Sequence, residues 1–107
     1  MELERYSFVL LRRPANAPDL PEERLEEIQE QHLANLAALG ERGVLLLAGP
    51  FGDQPDEALR GLCIFDASLE ETRAFMAADP AVVAGRLAVD VMTWWTLPGS
   101  LRTSASS

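Results

Sequence analysis

The chain has 107 residues, 48% of them apolar, with 17 acidic residues against 9 basic ones and a net charge of −8. That length and apolar content suit a single domain whose core needs no disulfide or metal staple. The acidic balance argues against nucleic acid and anionic membranes as partners, and one cysteine (Cys63) with one histidine (His32) excludes an internal disulfide and an intrachain His/Cys metal cluster.

Tyr6 to Leu11 is a run of β-formers, YSFVLL, ended by Arg12-Arg13-Pro14, and reads as the first strand. Pro14 to Pro21 is a loop rich in Pro, Asn and Asp. The stretch Pro21 to Arg42 reads as an amphipathic helix, with Asp19 or Leu20 near its cap and Pro21 in its first turn. Its glutamates (Glu22, Glu23, Glu26, Glu27, Glu30) favour the helix dipole and form a solvated face. Gly43 follows as the terminating glycine.

Val44 to Ala48 is the second strand, and its unbroken apolar run predicts that both of its faces are covered. Gly49-Pro50 breaks it, and Gly52 to Asp56 is a polar hairpin loop. Arg60 to Phe65 is the third strand. Ser68 and Glu71 predict a capping box for a second helix that runs to about Ala78. Asp79-Pro80 then reads as a cap with proline at the first position of a short extra turn. Arg86 to Thr96 is the last strand. Leu87, Val89, Val91, Thr93 and Trp95 share one face; Ala88, Asp90, Met92, Trp94 and Thr96 share the other. Trp95 is expected in the core. Residues 1–97 form the expected domain, and 98–107 a flexible tail.

The order β-α-β-β-α-β predicts an α+β, ferredoxin-like fold: a four-stranded antiparallel sheet with two helices on one face. Its strands are apolar on both faces, yet helices cover only one. The open face predicts a homodimer built sheet to sheet. No apolar run reaches the ~20 residues of a membrane span, and the segment MELERYSF lacks the apolar core of a signal peptide. A cytoplasmic location is the expectation, in keeping with a lone cysteine in an apolar strand.

His32 is the most informative residue. Leu25, Ile28, His32, Leu36 and Leu39 fall within about 80° of one another around the first helix, with His32 near the centre. A titratable ring thus stands where the pattern asks for leucine. It is either a hydrogen-bonded core residue or the lining of a pocket. The topology brings Arg12, Arg13, Phe51 to Asp53, Asp79 and Arg86 to the same end of the domain. A carboxylate beside His32 would fix its tautomer and stabilise the imidazolium, a device for proton transfer near neutral pH. Asp79 and Asp53 are the candidates, each equally readable as a cap or a turn residue. Cys63 reads as a small apolar strand residue.

Three motifs resemble the YciI-like (YCII-related) proteins of the dimeric α+β barrel superfamily. They are His32-Leu33-Ala34-Asn35-Leu36, Leu47-Ala48-Gly49-Pro50-Phe51, and Ala78-Asp79-Pro80-Ala81-Val82-Val83-Ala84-Gly85. The Trp94-Trp95 strand end is similar too, and the likeness spans about Tyr6 to Trp95. The resemblance implies the dimeric ferredoxin-like fold, a pocket between helices and sheet, and a His–Asp pair. That pair would be His32 with Asp79, or with Asp53 as the second candidate acid. Gly49, Pro50, Phe51, Asp53 and Arg12 are the expected substrate-binding residues, and no metal or cofactor is expected. Ala81 stands where an aromatic residue is usual after Asp-Pro. Two functions compete: acid–base chemistry on a small cyclic or aromatic molecule, with Arg12 or Arg86 attracting an anionic substrate, or a non-catalytic ligand-binding or assembly module.

Overall fold

A computed structural model describes residues 2–101. Seven elements follow in chain order: β1 (Glu4–Arg12), α1 (Glu22–Glu41), β2 (Leu45–Pro50), β3 (Leu59–Phe65), α2 (Leu69–Ala77), α3 (Pro80–Val83) and β4 (Ala88–Thr96). They form one four-stranded sheet of order β2-β3-β1-β4 in which every neighbouring pair is antiparallel. The helices pack on one face, giving the expected ferredoxin-like α+β architecture. Among the described residues no helix is long and apolar enough to cross a membrane. Of the expected tail, 102–107 lie outside the described residues. Before them, Ser100 turns back onto Leu97 and the Gly99 amide donates to Glu4.

The strand period decides what faces the helices. Ser7, Val9 and Leu11 of β1 are buried and stand opposite Phe65, Cys63 and Gly61 of β3. With Leu39, Leu45 and Met76 the apolar members of this set make the larger core cluster. Phe75 stacks on Phe65 at 5.9 Å, and the Arg42 guanidinium lies 5.2 Å above the Phe75 ring. A smaller cluster of Ile28, Ala81 and Leu87 occupies the other end. The apolar stripe of α1 serves both, Ile28 in one and Leu39 in the other. His32 lies at the seam between them.

Local chemistry accounts for most element boundaries. The Ser68 hydroxyl accepts from the Glu71 amide, and the Glu71 carboxylate accepts from the Ser68 amide, completing the capping box of α2. Gly43 takes φ +77° after α1, a conformation that favours glycine. Pro21, expected in the first turn of α1, instead holds its cap position, with φ −55°, ψ 146° and no side-chain cap bond. The glutamates of the first turn supply the dipole compensation that the cap lacks.

Two expectations about burial fail. β2 is an edge strand, and Leu47 to Pro50 are exposed rather than covered on both faces. An apolar run alone cannot distinguish a central strand from an edge, and Pro50, which has no N–H to donate, suits the edge. Trp95 lies on the helix side but is 56% exposed. It pairs with Arg5, where the sheet has narrowed to β1 and β4 alone, and its neighbours are too few to enclose it.

The opposite face of the sheet carries Tyr6, Phe8, Leu10 and Arg12 of β1 beside Trp94, Met92, Asp90 and Ala88 of β4. Phe8 meets Trp94 edge to face at 6.3 Å. Met92 and Trp94 remain substantially exposed.

Candidate active site

His32 projects from the middle of α1 toward the start of α3. Asp79 meets it there because the residue before Pro80 is the N-cap of α3: one carboxylate oxygen accepts from the Ala81 amide at 2.9 Å. The same carboxylate accepts from His32 Nδ1, at 2.8 Å to Oδ1 and 2.9 Å to Oδ2. Asn35 Nδ2 donates to Oδ2 at 2.9 Å. Asn35 is three residues beyond His32 and therefore shares its helix face. Asp79 is fully buried and His32 is 6% exposed.

Burial alone would push the Asp79 carboxyl up. Hydrogen bonds from His32 and Asn35, the charge of the imidazolium and the Ala81 amide outweigh it and bring the carboxyl below its ordinary range. An ionised carboxylate only accepts, so Nδ1 carries the hydrogen and the lone pair of the neutral ring lies on Nε2. Nε2 has no hydrogen-bond partner among the described residues. It is also absent from the sealed, unpartnered buried atoms, which are Thr72 Oγ1 and Thr96 Oγ1. Nε2 is therefore open to the space the ring borders.

That space is a cavity of about 370 Å³ between α1 and the sheet, within the size range of small-molecule sites. Its apolar wall includes Leu11, Ile28, Leu36 and Leu87, and Ala48 to Pro50 form one edge. Ala81, whose side chain is a single methyl group, is part of the lining. Gly61 keeps β2 and β3 close: a Cβ on it would lie 2.5 Å from the Gly49 carbonyl oxygen. Arg13, Arg60 and Arg86 supply the charge. Arg86 is held by the Pro18 carbonyl at 3.0 Å, and Arg13 by the Arg86 carbonyl at 3.0 Å. These two bonds tie the Pro14–Pro21 loop and the start of β4 to the cavity mouth.

The cavity gathers some of the expected site residues and leaves out others. His32 and Asp79 meet, and Gly49, Pro50 and Arg86 line the cavity. Arg12 does not: strand alternation turns it to the open sheet face, where it binds Asp90 through two bonds, at 2.7 and 3.1 Å. Phe51 and Asp53 lie outside the lining. The Phe51 amide donates to the Arg60 carbonyl at 2.9 Å, continuing the hairpin. Asp53 is exposed in the turn beyond, at φ +53°. Asp79, not Asp53, is the acid beside His32. Asn35 and Arg60 carried no role in the sequence reading. The three-residue spacing from His32 was a usable signal for Asn35; Arg60 falls at the register shift between β1 and β3, where Leu11 pairs with Gly61 and Arg12 with Leu59, and strand alternation does not reveal such a shift.

The Cys63 thiol is no part of this chemistry. Burial, with a lesser contribution from the Asp79 charge, pushes its pKa up to about 12, and it stays a packed thiol. What the site can do is accept a proton at Nε2, hold the resulting imidazolium against Asp79, and return the proton elsewhere.

The chain resembles a solved structure of the 5-chloro-2-hydroxyhydroquinone dehydrochlorinase TftG of Burkholderia phenoliruptrix AC1100, in complex with 2,5-dihydroxybenzoquinone. The two are 26% identical with a TM-score of 0.51, over 82% of this chain and 92% of that one. No curated protein sequence matches. The model of the YCII-related domain matches residues 6–95, from the third residue of β1 almost to the end of β4. With that match spanning the whole fold and both halves of the His32–Asp79 pair, the chain belongs to the YCII-related family.

Proposed function

We propose that the chain is an enzyme of acid–base chemistry, of the lyase or isomerase kind, acting on a small cyclic or aromatic organic molecule. His32 Nε2 takes a proton from an acidic C–H or O–H of the substrate. Asp79 holds the imidazolium so formed, and the proton returns to another substrate atom or departs with a leaving group. One observation carries this reading: a ring fixed at Nδ1 by a buried carboxylate, with Nε2 open to a cavity of substrate size. The dehydrochlorinase likeness supports it, because dehydrochlorination removes a proton from one atom while chloride leaves another. A cytoplasmic setting accords with the buried free thiol of Cys63.

We also propose that the protein is a homodimer through the open sheet face. Tyr6, Phe8, Met92 and Trp94 form a contiguous, partly exposed apolar surface there, of the kind a second copy covers. Sedimentation at micromolar concentration should give twice the chain mass, and Met92→Glu should shift the protein toward the monomer. A wild-type monomer would end the proposal.

The catalytic reading is tested through the only imidazole in the chain. Adding 2,5-dihydroxybenzoquinone at millimolar concentration should shift the His32 Cε1 proton in NMR spectra, and Asp79→Asn should weaken that response. Chloride release from 5-chloro-2-hydroxyhydroquinone, where the wild type supports it, should fall about 10²- to 10⁴-fold in His32→Gln. If the ring does not respond to the quinone or to any of a panel of small cyclic and aromatic compounds, it has only a structural role.

A further inference from the structure

The charge around the cavity is opposite to that of the chain. The protein carries 17 acidic residues and a net charge of −8. Yet among the described residues three arginines and no aspartate or glutamate line the cavity. The guanidiniums of Arg13 and Arg86 bind backbone carbonyls, of Arg86 and Pro18 respectively, and neither has a carboxylate partner among the described residues. Arg60 donates to the Glu57 carbonyl at 3.2 Å, and the one carboxylate near it among the described residues, that of Glu57, is 3.8 Å away and 92% exposed. By contrast, Arg12, one residue from Arg13 but on the other face, is bound at 2.7 Å by Asp90. The carboxylate nearest His32, Asp79, is already saturated by His32, Asn35 and the Ala81 amide.

Placing unpaired guanidiniums together is unfavourable. Burial, and then the charges of Arg86 and Arg60, pull the Arg13 pKa down. A half-buried group of like charges without counterions is what an incoming anion would relieve, and guanidinium forks match planar oxyanions.

We infer that this cavity selects organic anions: a planar cyclic or aromatic molecule whose carboxylate or phenolate binds Arg13, Arg86 and Arg60, while its ring lies on the Leu11, Ile28 and Leu87 wall beside His32 Nε2. The inference rests on the reading of the cavity as a substrate site and names the substrate's charge. The three arginines also explain how an acidic protein would admit an acidic substrate. The attraction is local to the mouth, within about a Debye length of 8 Å at physiological salt, and the surface charge beyond it is screened.

The test compares two probes of nearly equal shape, benzoate and benzamide, by titration followed at the His32 ring resonances. Benzoate should bind about tenfold or more tightly than benzamide. Raising the salt from ~20 to ~500 mM should weaken benzoate and leave benzamide unchanged. Arg13→Gln and Arg86→Gln should each bring benzoate close to the benzamide affinity, whereas Arg73→Gln, exposed on α2 and outside the lining, should not change it. Equal binding of the two probes by the wild type would overturn the inference while leaving the cavity a ligand site. If neither probe moves the ring, the inference falls together with the proposed function. Because the wild-type comparison needs no variant, the result does not depend on Arg13→Gln folding.

Discussion

Replacing Asp79 by alanine removes the acceptor of three donors at once: His32 Nδ1, Asn35 Nδ2 and the Ala81 amide. Loss of the helix cap is worth about 1 kcal/mol. A buried donor left without an acceptor costs about 1–3 kcal/mol. Water from the adjoining cavity can serve one of the two stranded side-chain donors, so the total is about 2–4 kcal/mol. Against a domain stability of about 5–15 kcal/mol this lowers Tm by about 10 °C or more. The pH dependence gives a sharper check. The Asp79 carboxyl is held below its ordinary range in the folded protein, so near pH 4 the unfolded chain binds more protons at this position than the native state does. Its stabilisation is complete above the unfolded value of about 3.9 and is lost as pH falls through the folded value. Urea unfolding of wild type and Asp79→Ala, followed by Trp94 and Trp95 fluorescence at one protein concentration, should show a gap at about pH 5 that narrows as pH falls below about 4. Other carboxylates cancel in that difference. Asp79→Asn, which keeps the cap oxygen, should fall between the two proteins. A gap under about 1 kcal/mol at neutral pH, or one that fails to narrow between about pH 5 and about pH 3, would refute the assignment of Asp79 as an ionised, shared acceptor.

Asn35→Ala removes one donor from the Asp79 carboxylate; stability should fall by about 1 kcal/mol, and the carboxyl should titrate higher when followed by carbon NMR. Gly61→Ala drives a methyl group against the Gly49 carbonyl and, at 3.1 Å, the Pro50 Cα, both backbone atoms of β2. Thermal unfolding should show a loss of about 1–3 kcal/mol, and the His32 ring should report a displaced cavity edge. Asp53→Gly relaxes a left-handed aspartate in an exposed turn; it should leave Tm within a few degrees and ligand response unchanged, and a lost response would return Asp53 to the site.

The architecture was legible because its signals are local. The capping box at Ser68, the cap at Asp79 and the glycine at Gly43 each act within a few residues, and the strands alternate with period two. The burial of β2 and Trp95 was misread because position within a sheet is a long-range property. Leu47 on an edge and a leucine in a central strand look alike in sequence, and no local pattern says where a sheet narrows.

The site follows the same division. A polar ring in an apolar stripe must find a partner or lose stability, so His32 announced itself. Choosing between two acids required knowing which of them turns inward, and that depends on packing. Asp79 is locked beneath the helical layer because its cap bond to Ala81 and its bond to His32 use the same carboxylate. Asp53 is left in a turn beyond the end of β2. Arg12 and Arg13 show how narrow the margin is. They are adjacent and chemically identical, and only the pleat separates an ion pair with Asp90 on one face from a cavity-lining cation on the other. A site assembled from strand ends therefore inherits its charge from register. The cationic lining here depends on Leu11 being the last inward residue of β1 before the chain leaves the sheet at Arg13.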